Sequence, residues 1–195
     1  MIYIVRHGQT YANETNKSGS EQDLLNENGI AQAKKVSIEL GQYPIKKIYS
    51  SDLERAKKTA EIINKKLRLE LILDERLREF TSGIRSGLDR KTRPQEYYDN
   101  PNAFDAENPR QVFNRVKKFL DELKGKNEDN VLIISHGGVM AVMAKIFENP
   151  ESTEQDFPTH HHFNKIEEYP YSKIRKGWRN FENCVIYKFE NVFHA

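Results

Sequence analysis

Ile2-Tyr3-Ile4-Val5-Arg6-His7-Gly8 carries four apolar residues in a row, three of them β-branched, and then breaks into arginine, histidine and glycine. An uninterrupted apolar run of this kind reads as a strand buried on both faces, as in a parallel sheet. It delivers its polar residues at the C-terminal end of the strand, where open α/β sheets bind ligands. The pattern returns at Val131-Leu132-Ile133-Ile134-Ser135-His136-Gly137-Gly138. A second histidine thus stands at a second strand end, and His7 and His136 can converge only through the fold.

Between these two stretches the hydrophobic period changes repeatedly. From Gly29 to Gln42, residues Ile30, Ala33, Val36 and Leu40 recur near the 3.6 spacing of an amphipathic helix. Lys47-Ile48-Tyr49 reads as a short strand. Ser51-Asp52-Leu53-Glu54 then matches a capping box that opens a helix carrying Leu53, Ala56, Ala60, Ile63 and Leu67, which puts Arg55 in or just after its first turn. Leu69 to Leu73 suggest a third strand. Thr81 to Asn108 hold Gly83, Gly87, Pro94 and Pro101, with Pro109 just beyond, a density of breakers that reads as a loop with short helical pieces, placed to cover a site. Val112, Val116, Phe119, Leu120 and Leu123 mark an amphipathic helix, Val139 to Phe147 an apolar one, and Val185 to Phe189 a last strand. Strands alternating with helices predict a three-layer α/β/α sandwich with a mostly parallel central sheet. The 195 residues suit one domain spanning 1–195.

Composition narrows the partners. The 31 basic and 29 acidic residues leave a formal charge of +2, so attraction for phosphate has to come from local placement of Arg and Lys, and nothing in the balance points to nucleic acid. The apolar run at the N-terminus is too short for a signal peptide or a membrane span, and the one cysteine, Cys184, cannot form an intrachain disulfide; the cytoplasm is the expected compartment and no membrane partner is expected. Cys184 stands in the apolar run Cys184-Val185-Ile186-Tyr187 with no histidine beside it, and reads as a buried small residue.

A strand-end Arg-His pair is weak evidence alone, since such histidines commonly serve as structural hydrogen-bonders. Here Arg6-His7-Gly8-Gln9-Thr10, with Asn13, is joined by Ser51-Asp52-Leu53-Glu54-Arg55-Ala56, by Leu77-Arg78-Glu79 and by Ser135-His136-Gly137-Gly138. In this order and near these separations the four segments resemble the histidine phosphatase superfamily, also called the phosphoglycerate mutase-like family. The resemblance runs from Met1 to about Val142 and includes Gly83 and Gly87, spaced after Glu79 as the family's glycines are after its acid.

The resemblance implies the fold already read from periodicity, with the site at the C-terminal ends of the strands. It implies that His7 is the nucleophile, a neutral imidazole that attacks phosphorus and forms a phosphoramidate. Arg6 and Arg55 would bind the phosphoryl oxygens through forked guanidinium donors and take the place of metal ions, so that neither metal nor cofactor is expected. His136, as an imidazolium, would donate from the opposite side, Asn13 would add a neutral hydrogen bond, and Gly8 and Gly137 would let backbone approach the substrate. Glu79 would protonate the departing alkoxide and then activate water. Taken singly, Arg55 reads equally as a solvated helix residue, Asn13 as a turn residue, His136 as the N-cap of the Gly137 helix, and Glu79 as the partner of Arg76 or Arg78.

Two further stretches invite chemistry. His160-His161-His162 resembles a metal tract, but adjacent histidines do not share one face of a strand or helix. Residues 169–179 interleave aromatics with positive charge, a pattern that suits a surface hairpin with snorkelling cations better than a base-stacking platform. The expected activity is hydrolysis of a small phosphomonoester. The alternatives are phosphoryl transfer of the phosphoglycerate mutase type and a non-catalytic phospho-ligand sensor. The mutases follow the catalytic Glu with Arg-His-Tyr-Gly, where this chain has Phe80-Thr81-Ser82-Gly83. A sensor would be expected to lose its nucleophile first, and the sequence names neither a particular substrate nor an oligomeric state.

Overall fold

The computed structural model describes residues 1–157 and 181–190. Its centre is a five-stranded sheet: β1 (Ile2–Arg6), β2 (Lys47–Ser50), β3 (Glu70–Leu73), β4 (Val131–Ser135) and β5 (Ile186–Phe189), ordered β3-β2-β4-β1-β5. All neighbours are parallel except β5, which runs antiparallel to β1. The predicted mostly parallel α/β/α sandwich is the fold observed, and each predicted strand lies within a residue or two of its place.

Successive side chains along a strand point to opposite faces, and each face has its own core. Ile2, Ile4, Tyr49, Val131 and Ile133 pack under α5 (Pro109–Gly125) and α6 (Gly137–Glu148). Tyr3, Val5, Ile48, Leu132 and Ile134 pack under α2 (Glu27–Leu40) and α3 (Glu54–Leu67). The division follows from handedness. From β1 the chain steps through α2 and α3 toward the β3 edge, then reverses and steps through α5 and α6 toward the β5 edge. Right-handed crossovers taken in opposite directions must lie on opposite faces.

Local sequence sets the helix ends. Asn26 accepts from the Gly29 amide at 2.8 Å to start α2, and Asn108 forms a capping box with Gln111 ahead of Pro109 to start α5. The breaker-rich stretch from Thr81 to Asn108 is indeed a chain of turns with one short helix, α4 (Gln95–Asp99), and α1 (Tyr11–Glu14) is a single turn after β1. Cys184 is buried as predicted, and burial pushes its thiol up to about 12, so it stays protonated. It sits just ahead of β5 in a left-handed backbone conformation. His160, His161, His162 and the 169–179 segment lie outside the described residues.

Candidate active site

The reversal of strand order falls between β1 and β4, where the connections leave to opposite faces and open a crevice at the C-terminal edge. Parallel register pairs Arg6 with Ser135, so His7 and His136 emerge side by side, with ring centroids 5.0 Å apart and both rings buried. The fold thus performs the convergence that the sequence required.

His7 Nδ1 lies 2.7 Å from the Gly8 carbonyl oxygen. A carbonyl can only accept, so Nδ1 carries the proton and Nε2 keeps its lone pair. Burial, then Arg55 and Arg6, hold the ring well below the usual imidazole range, with the Gly8 bond acting the other way. A neutral ring with a free Nε2 lone pair is a nucleophile.

Arg55 is the second residue of α3 and is 4% exposed, so it is not a solvated helix residue; its Nη1 donates to the Ser20 carbonyl at 2.6 Å. One turn later, buried Thr59 donates to the Arg55 carbonyl at 2.7 Å and accepts from the Gly8 amide at 3.0 Å. A single helix therefore carries the arginine and ties down the loop that follows His7. Arg6 is anchored by the Phe181 carbonyl at 3.1 Å. Burial lowers both guanidinium pKa values and Glu79 opposes the shift in each; Arg90 lowers both further, and Arg6 also lowers that of Arg55. Half-buried Arg6 and buried Arg55 bring two cations to one crevice, which suits a dianionic phosphoryl group.

His136 departs from expectation in its charge. Burial, followed by Arg55, His7 and Arg6, depresses its pKa well below the usual range, so it is neutral rather than an imidazolium. It does occupy the N-cap position of α6, but its ring makes no capping bond; Nε2 lies 2.9 Å from Ser51 Oγ instead. Ser51 in turn does not open α3: that helix begins at Glu54 with Leu53 at the N-cap and no side-chain cap. The predicted capping box is thus replaced by a bond from a strand end to a strand end.

Glu79 is positioned by backbone. Its carboxylate accepts from the Phe80 amide at 3.1 Å and from the Gly138 amide, in the first turn of α6, at 3.2 Å. Arg115 donates to the Arg76 carbonyl at 2.6 Å and to the Glu79 carbonyl at 3.3 Å, and pairs with Glu107. Arg76 and Arg78 pair with Asp74 and Asp52, so Glu79 is not their salt-bridge partner.

Glycine matters here at two places. A Cβ on Gly8 would meet the Gly29 carbonyl oxygen at 2.4 Å, so Gly8 lets the loop pack on α2; a Cβ on Gly138 would meet Glu79 Oε1 at 2.6 Å and Phe80 at 2.8 Å. Gly137 has room, its nearest neighbour being the Arg6 side chain at 3.7 Å. Asn13 forms the capping box of α1 with Thr10, which engages its Oδ1 and leaves the Nδ2 donors.

Four positioning residues escaped the sequence reading. Thr59 lies four residues after Arg55, one helical turn, and Gly138 doubles the glycine that was noticed. Ser51 follows a strand end, the location already known to gather function. Asn183, whose Nδ2 donates to the His7 carbonyl at 2.5 Å, carried no signal, since it is 176 residues from its partner.

Beside Glu79 and Arg55 lies a cavity of about 370 Å³, lined also by Ser20, Glu75, Arg76, Arg78 and Arg115 among others. Among the described residues no group of three His, Cys, Asp or Glu side chains could hold a metal ion, and no helix is long and apolar enough to cross a membrane.

This fold and this constellation are those of a phosphoric monoester hydrolase. Residues 2–178 match the family described as histidine phosphatase superfamily (branch 1), and the chain belongs to that superfamily. A Hydrogenobacter thermophilus protein provisionally named phosphoserine phosphatase 2 is 32% identical over 153 residues, 71% of this chain and 74% of that one. Phosphoglycerate mutase-like protein 4 of Arabidopsis thaliana is 34% identical over 154 residues, 71% and 67% of the two chains. Among solved structures, the mycobacterial glucosyl-3-phosphoglycerate phosphatase in complex with VO3 superimposes with a TM-score of 0.65 at 28% identity, covering 76% of this chain and 81% of that one.

Proposed function

We propose that this chain hydrolyses small phosphomonoesters through a phosphohistidine on His7, with no metal. The observation that carries the reading is the free Nε2 of a neutral His7, flanked by half-buried Arg6 and buried Arg55. Nε2 attacks phosphorus, the P–N bond forms, the P–O bond breaks, and Glu79 gives its proton to the leaving alkoxide. A water then attacks the phosphohistidine, its proton passes to the Glu79 carboxylate, the P–N bond breaks, and inorganic phosphate leaves. Charge on the equatorial oxygens is met by Arg6, Arg55 and a donor from His136.

Hydrolysis is favoured over return of the phosphoryl group to a second hydroxyl by the cavity beside Glu79. Arg76, Arg78 and Arg115, which line it, are each paired with a carboxylate, leaving Arg55 as the lining guanidinium without one among the described residues. A mutase that grips a substrate carboxylate needs further free arginines there. The phosphatase names of the Hydrogenobacter and mycobacterial relatives lean the same way.

The test is rapid quenching with a labelled phosphomonoester, alongside release of inorganic phosphate from a substrate panel. The enzyme is expected to carry acid-labile, base-stable phosphate that is absent in His7→Ala. Label that survives in His7→Ala removes His7 from the mechanism, and isomerised product without phosphate release favours the mutase.

A further inference from the structure

Ser51 and His136 follow adjacent strands. Register pairs Ser50 of β2 with Ile134 of β4, the Ser51 amide donates to the Ile134 carbonyl at 2.9 Å, and the two side chains meet one step beyond, both buried. The Ser51 hydroxyl also accepts the Leu53 amide at 3.3 Å. On the other side of the ring, His136 Nδ1 is buried and has no hydrogen-bond partner among the described residues.

A neutral imidazole has one N–H and one lone pair, so only two arrangements exist. If Nε2–H donated to Ser51 Oγ, the serine proton would have no acceptor among the described residues, and a bare Nδ1 lone pair would be left in a site built for an anion. If Ser51 O–H donates to Nε2, the hydroxyl accepts from Leu53 and donates to the ring, and the one group left over is Nδ1–H, a donor. A buried unpaired polar group is costly, and a buried donor on a ring whose centroid lies 5.0 Å from that of His7 has an evident acceptor in a phosphoryl oxygen on that residue.

We propose that Ser51 is a positioning residue: its hydroxyl donates to His136 Nε2 and thereby fixes the tautomer that offers Nδ1–H to the phosphoryl group on His7. The inference rests on the phosphatase reading for the acceptor, but not for the tautomer. Nothing in the scheme requires His136 to gain or lose a proton during turnover; it acts as a fixed dipole. In the same arrangement the Ser51 oxygen accepts the amide of Leu53, the N-cap residue of α3, while its proton goes to the ring.

The test joins spectroscopy to kinetics. Nitrogen-15 NMR of imidazole-labelled protein, with the His136 signals assigned by their loss in His136→Gln, reports which ring nitrogen carries the proton. The wild type is expected to show Nδ1–H alone at His136. Ser51→Ala is expected to lose this single tautomer and to slow single-turnover phosphorylation of His7 tenfold or more, while Ser51→Thr, which keeps the hydroxyl, retains both. Nε2–H in the wild type overturns the proposal, even if Ser51→Ala does not fold. So does a Ser51→Ala variant that keeps Nδ1–H alone, or one that phosphorylates His7 at the wild-type rate. Should no phosphomonoester be hydrolysed, the phosphatase reading fails, and the tautomer measurement still decides the role of Ser51.

Discussion

The ends of β1 and β4 are near-copies with opposite polarity. Each is a buried apolar strand followed by a histidine and a glycine, each histidine is buried, and each is held neutral by burial and by Arg55 and Arg6. At β1 a backbone carbonyl occupies Nδ1 and leaves Nε2 open; at β4 a serine hydroxyl occupies Nε2 and leaves Nδ1 open. The difference teaches that neither residue type, nor burial, nor charge sets a histidine's role here. The nitrogen its neighbour occupies sets it.

The comparison is broken most directly by removing each ring in turn. His7→Ala is expected to lose about 10⁴-fold or more in kcat and to form no phosphoenzyme, because the bond-forming atom is gone. His136→Ala is expected to lose about 10²–10³-fold, the cost of one missing donor, and still to accumulate phosphohistidine in a rapid quench. Equal losses with no phosphoenzyme in either variant would erase the distinction between nucleophile and donor.

Glu79 sharpens it from the leaving-group side. In Glu79→Gln, single-turnover phosphorylation by an alkyl phosphate is expected to slow by about 10²–10⁴-fold, and by p-nitrophenyl phosphate far less, since nitrophenolate leaves without a proton. A common defect for both substrates would assign Glu79 to positioning and the proton to another group.

The two glycines after His136 should separate in the same assay. Gly138→Ala forces a Cβ to within 2.6 Å of Glu79 Oε1 and is expected to cost about tenfold on alkyl phosphates, as a displaced acid would. Gly137→Ala meets only ordinary contacts and is expected to stay within about twofold. Substrate binding through the Gly137 backbone survives such a change, whereas a large loss at Gly137 with none at Gly138 would reverse the assignment.

The smallest effect is thermodynamic. Both histidines have folded pKa values depressed below the unfolded value of about 6.5, so their full contribution to stability is present above that pH and is lost as pH falls below it. Denaturant unfolding is expected to show stability declining below about pH 6.5, at up to about 1.4 kcal/mol per pH unit for each histidine. The decline should weaken in His136→Gln, and a flat profile from pH 7.5 to 5.5 would mean that neither ring has a depressed pKa in the folded protein.

Most of the architecture was legible because periodicity is a local signal: apolar runs at Ile2–Val5 and Val131–Ile134, and the 3.6 spacing of Val112 to Leu123, survive in the sequence as they stand in the fold. The candidate set was proposed from sequence because it clusters at strand ends in segments that resemble a known family, and the fold brings His7, Arg6, Arg55 and His136 together. Ser51 was misread because a serine three residues before a glutamate has two uses, and only the pairing of β2 with β4 reveals that a ring takes its hydroxyl. The charge of His136 was misjudged for a related reason: the burial that keeps it neutral belongs to the assembled core and not to its own segment. Asn183 and the paired state of Arg76, Arg78 and Arg115 depend on partners distant in the chain or on competing carboxylates, and spacing says nothing of either.

The hold of Phe181, Asn183 and Cys184 on Arg6 and His7 has a consequence for the order in which the fold closes. Phe181 and Asn183 accept and donate across 175 and 176 residues, and Cys184 binds the Arg6 carbonyl through its amide at 2.9 Å. The His7 carbonyl is held by a segment 176 residues further along the chain. A chain that has already built α2, α3 and both neighbours of β4 still has to bring in the segment that anchors Arg6 and His7. Such distant closures pay their loop entropy before they return any contact energy, which slows the step that makes them. The Arg6-His7 end is therefore secured in one slow, long-range closure rather than by its own neighbourhood in the chain.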